Sequence, residues 1–115
     1  MEILYKVTTK DDISMSVPKD SKYCLQYKKG ERVKALTGTL GILLFKNLYY
    51  AKDYMDIFPG KLKRVRPLGP VRVLTAMATD FSEESLDEFY AGTDPLQAFL
   101  PPLGTVVCDE IEVLD

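Results

Sequence analysis

Five basic residues and no acid fall within the twelve positions Lys61-Leu62-Lys63-Arg64-Val65-Arg66-Pro67-Leu68-Gly69-Pro70-Val71-Arg72. Cations at that density suit one kind of chemistry above others, the binding of an anion, and in a pair of strands they can follow a phosphate backbone. Lys28, Lys29, Arg32 and Lys34 extend the basic set. The partners this predicts are nucleic acid or an acidic protein surface. Seven tyrosines, among them Tyr23, Tyr27, Tyr49 and Tyr50, add stacking faces of the kind that exposed bases use. The competing account is structural: an edge strand that carries charge to resist sheet-to-sheet pairing. Parity also divides the strip, because Lys61 and Lys63 share one face of a strand while Arg64 and Arg66 share the other.

The acids occupy a different part of the chain. All fifteen Lys and Arg lie at or before Arg72, so that segment carries a net +8, and the last forty-three residues carry −10. Such a partition means either a basic surface for an outside anion or two strips that meet and cancel in the fold. Glu83, Glu84, Asp87 and Glu88 fall on an expected helix, and Asp109, Glu110 and Glu112 on an expected strand. Their spacing places Glu84 and Glu88 as a solvent-facing i,i+4 pair rather than as an acid–base couple.

Other chemistries are excluded by composition. The chain has no histidine and two cysteines, Cys24 and Cys108, far apart and outside any CxxC pattern. Zinc fingers and histidine-based triads need more than that. Free buried thiols are the expected state of the cysteines, and no cofactor or metal is implied. Gly38-Thr39-Leu40-Gly41 matches a GxxG pattern but stands between strands, which favours a tight turn over a backbone clamp. No phosphate-binding loop, dinucleotide fingerprint or nucleophile elbow is present, so an enzyme using Arg, Tyr and carboxylates ranks last among the readings.

The elements that must position these residues follow from pattern. At 115 residues the chain is expected to form one domain with a conventional core. Ile3 to Thr8 reads as a strand, and Thr9 to Lys22 as a long loop. Tyr23 to Tyr27 alternates, and the Lys28-Lys29-Gly30-Glu31 turn predicts a hairpin with Arg32 to Leu36. Ile42 to Phe45 is apolar throughout, as in a strand buried on both faces. Asn47 is an expected N-cap for a helix reaching Ile57, with Leu48, Ala51, Met55 and Phe58 as its apolar stripe. Lys61 to Pro67, Val71 to Ala78 and Thr105 to Val113 complete the strands. A second helix is expected from Ser82 to Gly92, with Phe81 and Leu86 as a hydrophobic staple. The fold class is therefore α+β: a bent, mostly antiparallel sheet or small open barrel of about seven strands with two flanking helices.

The passage from Tyr27-Lys28-Lys29-Gly30-Glu31-Arg32-Val33-Lys34-Ala35 to Gly41-Ile42-Leu43-Leu44-Phe45-Lys46-Asn47-Leu48-Tyr49-Tyr50-Ala51 resembles a strand–glycine–strand–helix passage of small uncharacterised prokaryotic and archaeal domains. The resemblance covers about residues 23–58 and implies an α+β fold; it implies no activity and no functional residue.

The longest apolar run, Ile42 to Phe45, is far short of a membrane span. An acid at Glu2 and the lack of a sustained apolar stretch after it predict a cytoplasmic chain. One Asn and two Gln against many Lys and Glu fit a thermophilic source. Leu96, Phe99, Leu100 and Leu103, near Pro95, Pro101 and Pro102, are candidates for a self-association surface. The leading expectation is a small non-enzymatic interaction domain; a self-associating adaptor, a homo-oligomer, is the alternative.

Overall fold

The computed structural model describes residues 2–15, 18–74, 86–87, 90–91 and 101–115. Among them are seven strands: β1 Leu4–Thr8, β2 Arg32–Lys34, β3 Ile42–Phe45, β4 Lys61–Pro67, β5 Val71–Val73, β6 Thr105–Cys108 and β7 Glu110–Val113. All neighbours are antiparallel, in the order β2-β7-β4-β1-β3-β6-β5. The basic strand β4 lies between β7 and β1 in this order, so the expectation of a charged edge strand is overturned.

The strand expected from Thr105 to Val113 is two strands. Asp109 interrupts it, and the halves sit second and sixth in the sheet order. Cys108 and Glu110 are two residues apart, within about 7 Å of chain. The hydrogen-bonding order is open, yet the sheet must curl until its two sides approach at this corner. Gly41 makes room there: its φ is +108, and a Cβ would meet the Cys108 carbonyl oxygen at 3.0 Å and Arg72 Nη2 at 3.1 Å. The inner face carries Leu4, Val33, Ile42, Leu44, Val65, Val106, Cys108, Ile111 and Val113, closed by Tyr27 from the long loop. β-branched residues dominate it, as a pleated buried surface favours.

The outer face of β1 and β3 takes the helix α1, Leu48–Ile57. Asn47 caps it as expected, its side chain accepting from the Tyr50 N–H at 3.1 Å. The Phe58 N–H donates to the Tyr54 carbonyl at 2.9 Å before Pro59-Gly60 ends the turn. The expected apolar stripe is kept at Ala51 and Met55 and lost at its two ends. Ala51 is fully buried against Val7 and Phe45, with Tyr50, Tyr54 and Met55 beside it, whereas Leu48 and Phe58 are exposed. The small Ala51 side chain lets the helix approach the sheet closely, and that contact sets its rotation.

The expected hairpin between Tyr23–Tyr27 and Arg32–Leu36 is also corrected. Gln26 makes one isolated bridge, to Ile13, and β2 pairs instead with β7, Arg32 opposite Glu112 and Lys34 opposite Glu110. Tyr23 and Tyr27 are nonetheless buried. The strand expected from Val71 to Ala78 is described to Leu74, and its paired part ends at Val73. The second helix lies outside the described residues apart from Leu86, Asp87, Tyr90 and Ala91. Cys24 and Cys108 are free thiols. No helix among the described residues is long and apolar enough to cross a membrane.

Candidate anion-binding site

The alternation of β1 turns Leu4, Lys6 and Thr8 inward, and the β1–β4 register sets Leu4 opposite Val65, Lys6 opposite Lys63 and Thr8 opposite Lys61. One end of the inner face is thus apolar and the other is built of lysine. Lys63 is only 8% exposed. Two like charges in direct register are unfavourable unless an anion sits between them.

A loop residue supplies one. Asp12 Oδ1 accepts from Lys63 Nζ at 2.9 Å and from Lys61 Nζ at 3.1 Å. These bonds, that to Lys63 first, hold the Asp12 carboxyl below the usual carboxylate range. The loop is fixed by the Tyr27 N–H on the Asp12 carbonyl at 2.7 Å and the Asp12 N–H on the Thr9 carbonyl at 3.1 Å. Asp12 adopts φ +64, left-handed backbone that few non-glycine residues take.

Lys6 has no such partner among the described residues. Its Nζ donates to the Leu43 carbonyl at 2.9 Å and stands over the Tyr27 ring, 5.1 Å from the centroid. The residue is half-buried but its ammonium is enclosed, and desolvation brings the pKa down to about 8. Burial likewise pushes the Tyr27 phenol up, so it stays neutral.

The row continues on the far side of β4. Lys63 Nζ also reaches the Asp115 main-chain oxygen, at 3.4 Å. Arg64 holds the Asp115 carboxylate in a fork, Nε at 2.8 Å and Nη2 at 3.0 Å, and this brings the carboxyl down to about 2. The Gly30 N–H on the Val113 carbonyl and the Val113 N–H on the Glu31 carbonyl bring the Lys28–Glu31 turn alongside, where the Lys29 charge acts on Asp115. Lys61 and Lys63 therefore share Asp12, Arg64 holds Asp115 with the Lys29 charge acting on the same carboxylate, and Lys6 turns from the pair toward β3. Lys28 and Glu31, at the ends of the turn, offset one another in charge.

The other expected bases lie elsewhere. Arg66 Nη2 meets Glu112 Oε1 at 2.7 Å on the outer face, and Arg32 flanks the same glutamate in register. Arg72 Nη2 binds Asp109 Oδ1 at 2.9 Å and the Leu40 carbonyl at 2.7 Å at the corner of the curled sheet. The acidic C-terminal block thus cancels Arg64, Arg66 and Arg72. Lys6 escaped the sequence reading although its inward parity with Leu4 and Thr8 was available; Asp12 carried no signal, being a loop residue placed by tertiary contacts. Of the stacking faces expected, Tyr23 and Tyr27 are buried and Tyr49 is exposed on α1, away from the lysines.

Two cavities are separate from this cluster. One, about 500 Å³, is lined by Lys22, Tyr23, Thr37, Gly38, Asp87 and Tyr90. Lys22 pairs with Asp87 at 2.8 Å, the Tyr23 hydroxyl donates to the same carboxylate, and Tyr23 stacks on Tyr90 with ring centroids 4.3 Å apart. Gly38 sits here in a turn closed by the Thr39 N–H on the Leu36 carbonyl. The other, about 250 Å³, lies between α1 and Leu103. Neither is lined by arginine. Among the described residues no three carboxylates or thiols converge as metal ligands. Comparison with protein-family models, with curated proteins and with solved structures finds no match.

Proposed function

We propose that this chain is a small, non-enzymatic, cytoplasmic interaction domain that engages an anionic partner, a nucleic acid or an acidic protein surface, through the lysine-rich end of its sheet. The observation that carries the reading is the local imbalance among the described residues: one carboxylate, Asp12, serves both Lys61 and Lys63, and Lys6, next to them in register, is enclosed with a carbonyl oxygen and no acid. Elsewhere on the sheet, contacting charges occur in opposed pairs. The interface is narrower than the basic strip of the sequence, with Lys61 and Lys63 at its centre and Lys28 and Lys29 at its margin. Among the described residues Tyr27 beside it is buried and the exposed Tyr49 lies on α1, which favours contact with a charged backbone over stacking on bases.

A fluorescence titration with single- and double-stranded DNA and RNA across a salt series tests this. Micromolar binding at low salt that weakens steeply as salt rises, and falls at least tenfold in the exposed double variant Lys29→Gln/Lys61→Gln, is the expected result. The reading of a nucleic-acid partner fails if no polymer binds at low salt; an acidic peptide is the parallel ligand for the protein-surface form.

A second reading, self-association, rests on different residues. Ile57, 71% exposed, and Leu103, 75% exposed, flank the groove beside α1 with Phe58 between them. Leu96, Phe99 and Leu100 lie outside the described residues. A strictly monomeric mass at high concentration removes this reading.

A further inference from the structure

Asp12 holds Lys61 and Lys63 in an uneconomical way. Both ammonium groups bond a single oxygen, Oδ1, which places the two nitrogens no more than about 6 Å apart by the two distances of 2.9 and 3.1 Å. A carboxylate between two cations ordinarily spreads them over its two oxygens. The residue comes from a loop rather than from a neighbouring strand, and it keeps its position in left-handed backbone, which glycine would tolerate better. The surroundings call for more negative charge than it brings: one carboxylate faces two ammonium groups, and Lys61 remains half-exposed, so the pair is open on one side.

We propose that Asp12 is an internal substitute for a phosphate oxyanion: Lys61 and Lys63 form the seat, the Asp12 carboxylate occupies it when no ligand is bound, and an incoming phosphate displaces it. This rests on the anion-binding reading above and adds to it both the ligand class and a built-in restraint. A phosphate, whether free or in a singly charged diester, offers several acceptor oxygens to the two ammonium groups where Oδ1 offers one. Inorganic phosphate and the phosphodiester of a nucleic acid share this chemistry. The two lysines hold the Asp12 carboxyl below the usual carboxylate range, and like any aspartate it is ionised at neutral pH, where it competes with the incoming anion.

The test uses the full chain and two variants, Asp12→Asn and Asp12→Gly. The glycine variant removes the carboxylate while suiting the left-handed backbone, so it keeps the loop folded if the asparagine does not. Each is titrated with inorganic phosphate and with an oligothymidylate dodecamer, following amide resonances of residues 61–63 and fluorescence anisotropy. The expected result is five- to tenfold tighter binding than wild type, with a salt slope for the dodecamer steeper by about one phosphate contact, and loss of that gain when Lys63→Met is added. Response to free phosphate alone identifies a small-anion site; response to the dodecamer alone identifies a polymer backbone. If wild type binds and the folded glycine variant binds no more tightly, the substitute role is overturned while the anion-binding reading stands. If neither protein binds phosphate, the dodecamer or a polyglutamate peptide, both fall. Preferential binding of a polyglutamate peptide over both phosphate ligands overturns the phosphate seat.

Discussion

The two faces of strand β4 treat the same kind of residue in opposite ways. On the outer face Arg66 meets Glu112, Arg32 flanks that glutamate from β2, and Lys34 lies opposite Glu110, so charge alternates in sign across three strands. On the inner face Lys63 lies opposite another lysine, and one carboxylate borrowed from a loop serves two ammonium groups. The outer arrangement is what a surface does with its own charge when nothing else is required of it. The inner one leaves a surplus in a place where solvent cannot fully screen it. The lesson is that a basic strip has no single meaning: strand parity divides it into a compensated half and an uncompensated half.

The largest effect expected within this comparison comes from Gly60. A Cβ there would collide with the Thr8 carbonyl oxygen and the Met15 side chain, so Gly60→Ala pushes the start of β4 away from β1 at the lysine end. A loss of about 3 kcal/mol in urea unfolding is expected; an unchanged midpoint would mean that this end is loose and its charges are not held as described.

Lys6→Met acts next, and in the opposite direction. The folded pKa of about 8 lies below the ordinary 10.5, so between those values the unfolded chain binds the extra proton and wild-type stability rises with pH. Below pH 8 the folded protein carries the full cost of an enclosed charge. Methionine removes that cost, and a gain of about 1–3 kcal/mol at pH 7, shrinking toward pH 10, should appear in the difference between variant and wild-type unfolding curves. Taking the difference matters because Tyr27, raised by burial, works against stability once the unfolded phenol ionises. A destabilised Lys6→Met would show that the bond to the Leu43 carbonyl and the contact with the Tyr27 ring outweigh the cost of enclosing the charge.

The outer face should respond least. Glu112→Gln removes a half-exposed partner of Arg66, with an expected cost below about 1 kcal/mol and no change in anion affinity. Tighter anion binding by this variant would erase the distinction between the faces.

Much of the fold was legible locally. Asn47 announced α1 because an N-cap is a property of a few adjacent residues, and the runs at β1, β3 and β4 carried their own patterns. The failures share a cause. Lys28 to Glu31 looks like a hairpin turn, yet β2 pairs with β7, some eighty residues later, and no local signal names that partner. Asp109 interrupts the final strand where the sheet turns its corner, and Leu48 falls outside the stripe that Ala51 and Met55 keep because of how α1 is set on Phe45 and Val7. At the site, the alternation of Leu4, Lys6 and Thr8 contained the enclosed lysine, whereas the pairing of Asp12 with Lys61 and Lys63 spans about fifty residues and exists only in three dimensions.

The bent strand of β6 and β7 also governs how the protein is made. Among the described residues each edge strand, β2 and β5, finds its sheet neighbour in one of these two strands, both of which lie from Thr105 onward. As the polypeptide leaves the ribosome, β4, β1 and β3 can zip together first, but both sides of that three-stranded nucleus stay open until residues past Thr105 emerge. Closure then takes place on two fronts at once, through contacts of long sequence separation, which makes for a late and slow step in folding. Arg64 and Arg66 wait through that interval without the acids that will balance them.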